Sequence, residues 1–235
     1  MAPAPAHLCI DRFAPLSPPV FLPDGRLAGL REKLWPPHQR VLHVRFLGGD
    51  PRVHRRIERF ANLWTEHAHV RFVFDNAPDA QIRIGFEPGP SWSYIGTDAL
   101  DPTLDADAPT MNFGWFSPAT AHDEIQRVVL HEFGHALGMI HEHQSPNADI
   151  PWDREAVYAY FAGPPNYWSP EQVDLNIFER YSHEQANASA FDPASIMIYP
   201  IPPEFTHGQV TIGWNRMLSP GDRAFIAQLY PPVGQ

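Results

Sequence analysis

The sequence predicts an α+β protein, with a β-sheet and two long helices in its N-terminal part and short, irregularly spaced helices after them. Three observations lead there. Residues 41–86 read strand, helix, strand, strand. A second long apolar-periodic stretch, residues 118–138, carries His131-Glu132-Phe133-Gly134-His135-Ala136-Leu137-Gly138 and runs on to His141. Beyond it, proline recurs too often for long helices, because it removes a backbone donor and clashes with the preceding turn.

Composition limits what such a chain does. Its 235 residues suffice for one sizeable core and are few for two independent domains. With 43% hydrophobic and 19% charged residues it reads as a folded globular chain. A formal charge of −10 argues against nucleic acid or an anionic membrane as partner. No apolar run reaches the roughly 20 residues of a membrane span. The N-terminus lacks the apolar core of a signal peptide. The single cysteine, Cys9, rules out an intramolecular disulfide. We expect a monomer.

In chain order, residues 1–35 are a proline-rich arm whose apolar residues Phe13, Leu16, Val20, Phe21 and Leu22 suggest that it packs against the body. Residues 36–235 form one domain, with an upper part at about 36–138 and a lower part at about 139–235. Val41–Phe46 has strand propensity. Asp50-Pro51 supplies a helix N-cap and a first-turn proline. The helix Arg52–Glu66 turns Val53, Ile57, Phe60 and Leu63/Trp64 inward. Val70–Phe74 and Gln81–Phe86 alternate as strands. Ser91–Gly96 reads as a short edge strand, and Thr110–Phe116 as the strand feeding the next helix. Asp98, Asp101, Asp105 and Asp107 lie between these two. Their spacing is not that of an EF-hand, so a solvated acidic loop is preferred over a calcium site.

Ser117-Pro118 is the expected start of the second long helix. Asp123 and Glu124 favour its positive N-terminal end. Ile125, Val128, Val129, Phe133 and Leu137 form its buried face. Asp153–Phe161 suits a helix, Ser169-Pro170-Glu171-Gln172 opens another running to about Arg180, and Ser219-Pro220-Gly221-Asp222 opens the last.

The chemistry sits at residues 131–141. His131 and His135 are four apart, so on a helix both imidazoles leave one face and meet at one ion. Glu132 is placed for its carboxylate to reach a water there. Gly138 permits the left-handed turn that stops the helix and lets His141 fold back to the same ion. Three neutral imidazoles leave the fourth position of a tetrahedral zinc open, the mark of a catalytic rather than a structural site. His122, His183 and His207 lack ligand spacing, and His143 is a candidate neighbour of the ligands.

The motif H-E-x-x-H-x-x-G-x-x-H resembles the zinc signature of the metzincin metallopeptidases. Ser195-Ile196-Met197-Ile198-Tyr199, with Met197 56 residues after His141, looks like their Met-turn. Glu142 after the third histidine, and Tyr199 two residues after the methionine, are similar to the astacins. Phe133-Gly134 and Met197–Pro200 also have a matrixin character. Ile198 stands where astacins usually have histidine, their disulfides are excluded, and their Arg-rich continuation after Glu142 is missing. The chain is thus similar to a divergent astacin.

The resemblance implies a metzincin-like catalytic domain: a twisted mixed sheet with two long helices above the cleft, and an irregular helical lower subdomain with the Met-turn. It implies a zinc endopeptidase acting on protein or peptide substrates, with one catalytic Zn²⁺ on His131, His135 and His141. Glu132 is then the general base, Tyr199 the oxyanion donor, and Met197 the apolar floor. An unpaired rim strand offering Ser93, Tyr94 and Ile95 would take the substrate as an added strand. Glu142 would pair with a new N-terminus made by propeptide removal. Cys9 is the candidate latency ligand for the open zinc position. The family suggests secretion, with a cytoplasmic location as the alternative. A zinc-binding pseudoenzyme or binding module is the alternative function, disfavoured by the intact Glu132.

Overall fold

The computed structural model describes residues 33–164, 166–181 and 190–232, together with the backbone of three short strands in the arm. Those strands are β1 (Cys9–Arg12), β2 (Val20–Phe21) and β3 (Leu27–Ala28). Then follow β4 (Val41–Phe46), α1 (Pro51–Thr65), β5 (Arg71–Val73), β6 (Ile82–Gly85), β7 (Ser91–Tyr94) and β8 (Met111–Asn112). Helix α2 (His122–Ala136) carries the histidine motif, and α3 (Arg154–Phe161), α4 (Pro170–Val173) and α5 (Pro220–Leu229) complete the chain.

The main sheet has the order β1-β7-β8-β6-β4-β5. It is mixed: β7 and β8 are antiparallel and every other pair is parallel. Strand β2 pairs with β3 in a separate antiparallel ribbon. The α+β class and the mixed sheet match the expectation.

Helix α1 forms as its sequence dictates. The Asp50 side chain caps Arg52 N, proline occupies the first turn, and Val53, Ile57, Phe60, Ala61 and Trp64 recur on one buried face. Helix α2 packs beside it, with Trp64 Nε1 donating to Leu130 O at 2.9 Å. Ile125, Val128, Val129, Leu130 and Phe133 on α2 are fully buried. Each large apolar side chain so buried contributes roughly 1.5–3 kcal/mol.

Several expectations need correction. The active-site helix does not begin at Ser117. It begins at His122, with Ala121 at the N-cap and no side-chain cap. Ser117 and Thr120 bond to each other in a separate turn, in which the Ser117 hydroxyl accepts from Ala119 N at 3.3 Å. The feeding strand is the two-residue β8 rather than all of Thr110–Phe116. The helix opened by Ser169 gives way at Asp174–Phe178 to a wider π-turn, closed by Glu179 N to Asp174 O. Finally, Ser91–Gly96 is not an outer edge. β1 runs parallel along the outside of β7, with Cys9 opposite Ser91 and Arg12 opposite Tyr94.

Asp98 departs from the solvated acidic loop: it is buried and ion-paired to Lys33 at 2.6 Å. Asp101 accepts from Thr103 N, Asp105 accepts from Asp107 N, and Asp107 pairs with Arg45. The last residues of the arm are also anchored, since Trp35 is buried and donates from Nε1 to Ala136 O at 2.7 Å.

Apolar side chains gather in two clusters. One lies between the sheet, α1 and α2, and includes Ile196 and Met197. The other gathers α3, α4 and the following segments, and includes Ile198 and Tyr199. The turn Ser195–Tyr199 is the seam where they meet.

Candidate metal centre

The site starts with a helix that ends where it must. Leu137 closes α2, and Gly138 follows at φ +86°, a left-handed conformation glycine adopts without strain. Carbonyls of the last turn have no partner within the helix. Here Trp35 Nε1 caps Ala136 O, and the Tyr230 hydroxyl caps Leu137 O at 2.7 Å. The backbone then reverses and returns His141 to the helix.

His131, His135 and His141 converge, and all three are buried. His131 Nε2 lies 3.1 Å from His135 Nε2 and 3.1 Å from His141 Nε2. His131 Nδ1 donates to Ile196 O at 2.8 Å, and His135 Nδ1 donates to Met139 O at 2.9 Å. A carbonyl only accepts, so these bonds place the proton on Nδ1 and turn the Nε2 lone pairs inward. Burial holds the His131 pKa well below its ordinary value, and the neighbouring His135 and His141 act in the same direction. A neutral imidazole is what a metal requires. Zinc–nitrogen bonds of about 2.0–2.1 Å in a tetrahedron put the nitrogens roughly 3.3 Å apart, so the three residues fit zinc.

Sequence neighbours reinforce this geometry. Gly134, between the two helical histidines, has Met197 Sδ where a Cβ would be, so a side chain there would collide with the methionine. Met197 is fully buried. Glu142 N donates to Met197 O at 3.0 Å, tying the residue after the third histidine to the turn below. Tyr199 is buried, its ring centroid 4.3 Å from that of His141 and 6.2 Å from that of His131. Glu132 is fully buried beside His131.

Glu142 accepts from Asp192 N at 2.8 Å. Burial pushes its carboxyl up to about 7, and the carboxylates of Asp222 and Asp192 push the same way. Of the expected rim residues, Ser93 and Tyr94 lie in β7 and Ile95 just after it, and all three are buried. The backbone of Cys9 lies in β1, whereas its side chain falls outside the described residues. His183 falls outside them as well. His122 and His207 join no metal-binding cluster among the described residues.

One residue was missed by sequence reasoning. The sequence presents Asp222 only as part of the segment that opens the last helix. It does complete a capping box with Ser219. Its carboxylate also accepts from Ser195 Oγ at 2.6 Å and Ile196 N at 2.8 Å. Since Ile196 O receives His131 Nδ1, α5 holds the turn that holds a ligand. Burial pushes the Asp222 pKa up, against the hydrogen bonds from Ser195, Ile196 and Ser219. The signal available in sequence was an acid at the third position after Ser219, which local capping already accounted for.

No protein-family model matches the chain. It is 46% identical to myroilysin, whose structure aligns with a TM-score of 0.83 over 86% of this chain and 98% of that one. It is 26% identical over 220 residues to bone morphogenetic protein 1 of Xenopus laevis, covering 87% of this chain. The chain spans 28% of that relative's length. The fold is shared with high choriolytic enzyme 1, a hatching enzyme zinc-protease of the medaka fish Oryzias latipes, at TM-score 0.59 and 18% identity over 85% of this chain and 94% of that one.

Proposed function

The chain belongs to the astacin-like zinc metalloproteases of the metzincin group, and on that premise we propose that it is an endopeptidase that cleaves internal peptide bonds of proteins. The observation that carries the proposal is the convergence of three buried imidazoles, two of them locked with their Nε2 lone pairs facing inward. Zinc held by His131, His135 and His141 would supply a Lewis acid for the scissile carbonyl and lower the pKa of a water to about 7.

The rest is done by this chain's own side chains. A Glu132 carboxylate oxygen takes a proton from the attacking water and returns it to the nitrogen of the leaving amine. The Tyr199 phenol donates to the oxygen that gains negative charge as the carbonyl becomes tetrahedral. Met197 fills the space under the ligands, where Gly134 leaves room for it, and takes no part in bond making. The intact Glu132 favours an enzyme over a zinc-binding module. We propose that the chain works outside the cell, on protein substrates, as the resemblance implies.

Tyr199→Phe tests the oxyanion role. We expect kcat to fall by about 10²-fold with KM nearly unchanged, because the bond forms in the transition state. A change confined to KM contradicts that role.

A second reading, latency, is favoured by one observation. Strand β1 occupies the outer side of β7, the edge that an extended substrate would otherwise pair with. We propose that the arm restrains the enzyme by covering this edge, with Cys9 as the candidate ligand for the open zinc position. Deleting residues 1–20 is then expected to raise peptide hydrolysis severalfold, by about 5-fold or more if fewer than a fifth of the molecules are open at rest. Equal or lower activity in a folded truncated chain removes the latency reading.

A further inference from the structure

Among the described residues, three imidazoles pack near the Tyr199 ring. Two are His131 and His141, which belong to the metal set. The third is His143, whose ring centroid lies 4.9 Å from that of Tyr199 at an interplanar angle of 31°. The same ring stacks on His141 at 5.1 Å and 21° and meets Trp152 edge-on at 6.4 Å. His143 is 2% exposed, so its imidazole has been taken out of water without becoming a metal ligand.

Its polar edge is held from the lower half of the molecule. His143 Nε2 lies 3.0 Å from Asn176 O, and the carbonyl can only accept, so Nε2 is the donor. Asn176 sits in the π-turn Asp174–Phe178. In that wide turn Leu175 O accepts from Gln144 Nε2 at 2.8 Å. Two consecutive carbonyls of the π-turn are therefore taken by the side chains of the second and third residues after His141. A π-turn recurs where a helix is locally reshaped for function. Here the reshaping brings Asn176 O to a histidine whose ring packs, tilted by 31°, against the tyrosine.

We propose that His143 is a positioning residue for Tyr199: pinned by Asn176 O, its ring fixes where the Tyr199 phenol stands relative to the metal ligands. The inference rests on the oxyanion reading of Tyr199. A tyrosine that donates to a transient oxyanion must be held within a few tenths of an ångström. His131 is fixed by Ile196 O, and His143 ties the Tyr199 ring to the π-turn of the lower half through Asn176 O.

The test is a double-mutant cycle in the zinc-loaded full chain, using His143→Ala, Tyr199→Phe and the pair, with His143→Phe as the ring-conserving variant. Readouts are kcat and KM on a fluorogenic peptide, zinc per chain and Tm. For His143→Ala we expect kcat down about tenfold, KM within about twofold and zinc retained, since a misplaced donor loses part of what a deleted donor loses. His143→Phe keeps the flat ring and is expected to recover at least about threefold of that loss. The double variant is expected to be no slower than Tyr199→Phe alone to within about twofold, because residues acting through one group do not add. An unchanged kcat in His143→Ala overturns the proposal, as does loss of zinc, or a loss that multiplies with that of Tyr199→Phe. If His143→Ala does not fold, His143→Phe decides: its loss must vanish in the Tyr199→Phe background, and a multiplying loss overturns the proposal. Should Tyr199→Phe itself leave kcat unchanged, the oxyanion reading fails and this inference goes with it. A slow Tyr199→Phe beside a normal His143→Ala removes the positioning role alone.

Discussion

Glu132→Ala is expected to reduce kcat/KM by about 10³-fold or more while the protein still binds one zinc per chain. The two halves of that result come from different parts of the site. Zinc retention rests on the three imidazoles, the Nδ1 bonds of His131 and His135 and the turn beneath them. Hydrolysis depends on a base that can receive a proton from water and deliver it to the amine. Glu132 is the buried carboxylate next to His131 on the same helix. Stability should fall little, because removing a buried carboxylate also removes the cost of desolvating it. Turnover within a few-fold of the parent would show that another group takes the proton. Loss of zinc would show that the carboxylate builds the site instead of working in it.

Asp222→Ala should unfold the connection between α5 and the metal centre. The carboxylate serves Ser195 Oγ, Ile196 N and Ser219 N at once, all at buried positions. Truncation strands two backbone N–H groups, each costing about 1–3 kcal/mol. Asp222 has its own desolvation cost, visible in its raised pKa, so the net loss is set at about 3 kcal/mol. For a chain of this size that is roughly 6–12 °C in Tm. Ile196 O would also lose its fixed place against His131 Nδ1, and loss of such an outer partner typically weakens metal binding by about 10–100-fold. Asp222→Asn keeps one oxygen acceptor and should fall between. Unchanged Tm and zinc affinity in Asp222→Ala would mean that the turn holds itself.

The metal centre was legible in the sequence because its information is local. A four-residue spacing on a helix, a glycine that turns left-handed and a third histidine three residues on are fixed by backbone geometry alone. The same holds for α1, where Asp50 and Pro51 announce a start and the apolar period gives the buried face. What sequence could not show depends on partners far along the chain. Strand β1 is a four-residue segment in a proline-rich arm, with nothing in its pattern to say that it pairs with residues about eighty positions later. For that reason Ser93, Tyr94 and Ile95 looked like an open rim. Asp222 looked like an ordinary capping acid because its bonds to Ser195 and Ile196 span 27 and 26 residues. Ser117 and Thr120 close a turn of their own, and α2 starts later without a side-chain cap. Lys33 and Asp98 are 65 residues apart, and only their meeting turns a seemingly solvated acid into a buried one.

The central claim is that peptide hydrolysis depends on zinc at His131, His135 and His141. It is tested most directly by following casein cleavage by the full chain and by the chain lacking residues 1–20, before chelation, after chelation, and after adding back about one equivalent of zinc. The account predicts cleavage that disappears with the metal and returns with it, stronger in the shortened chain. Cleavage that survives complete metal removal would contradict it, as would two zinc-loaded, folded forms that both leave casein intact.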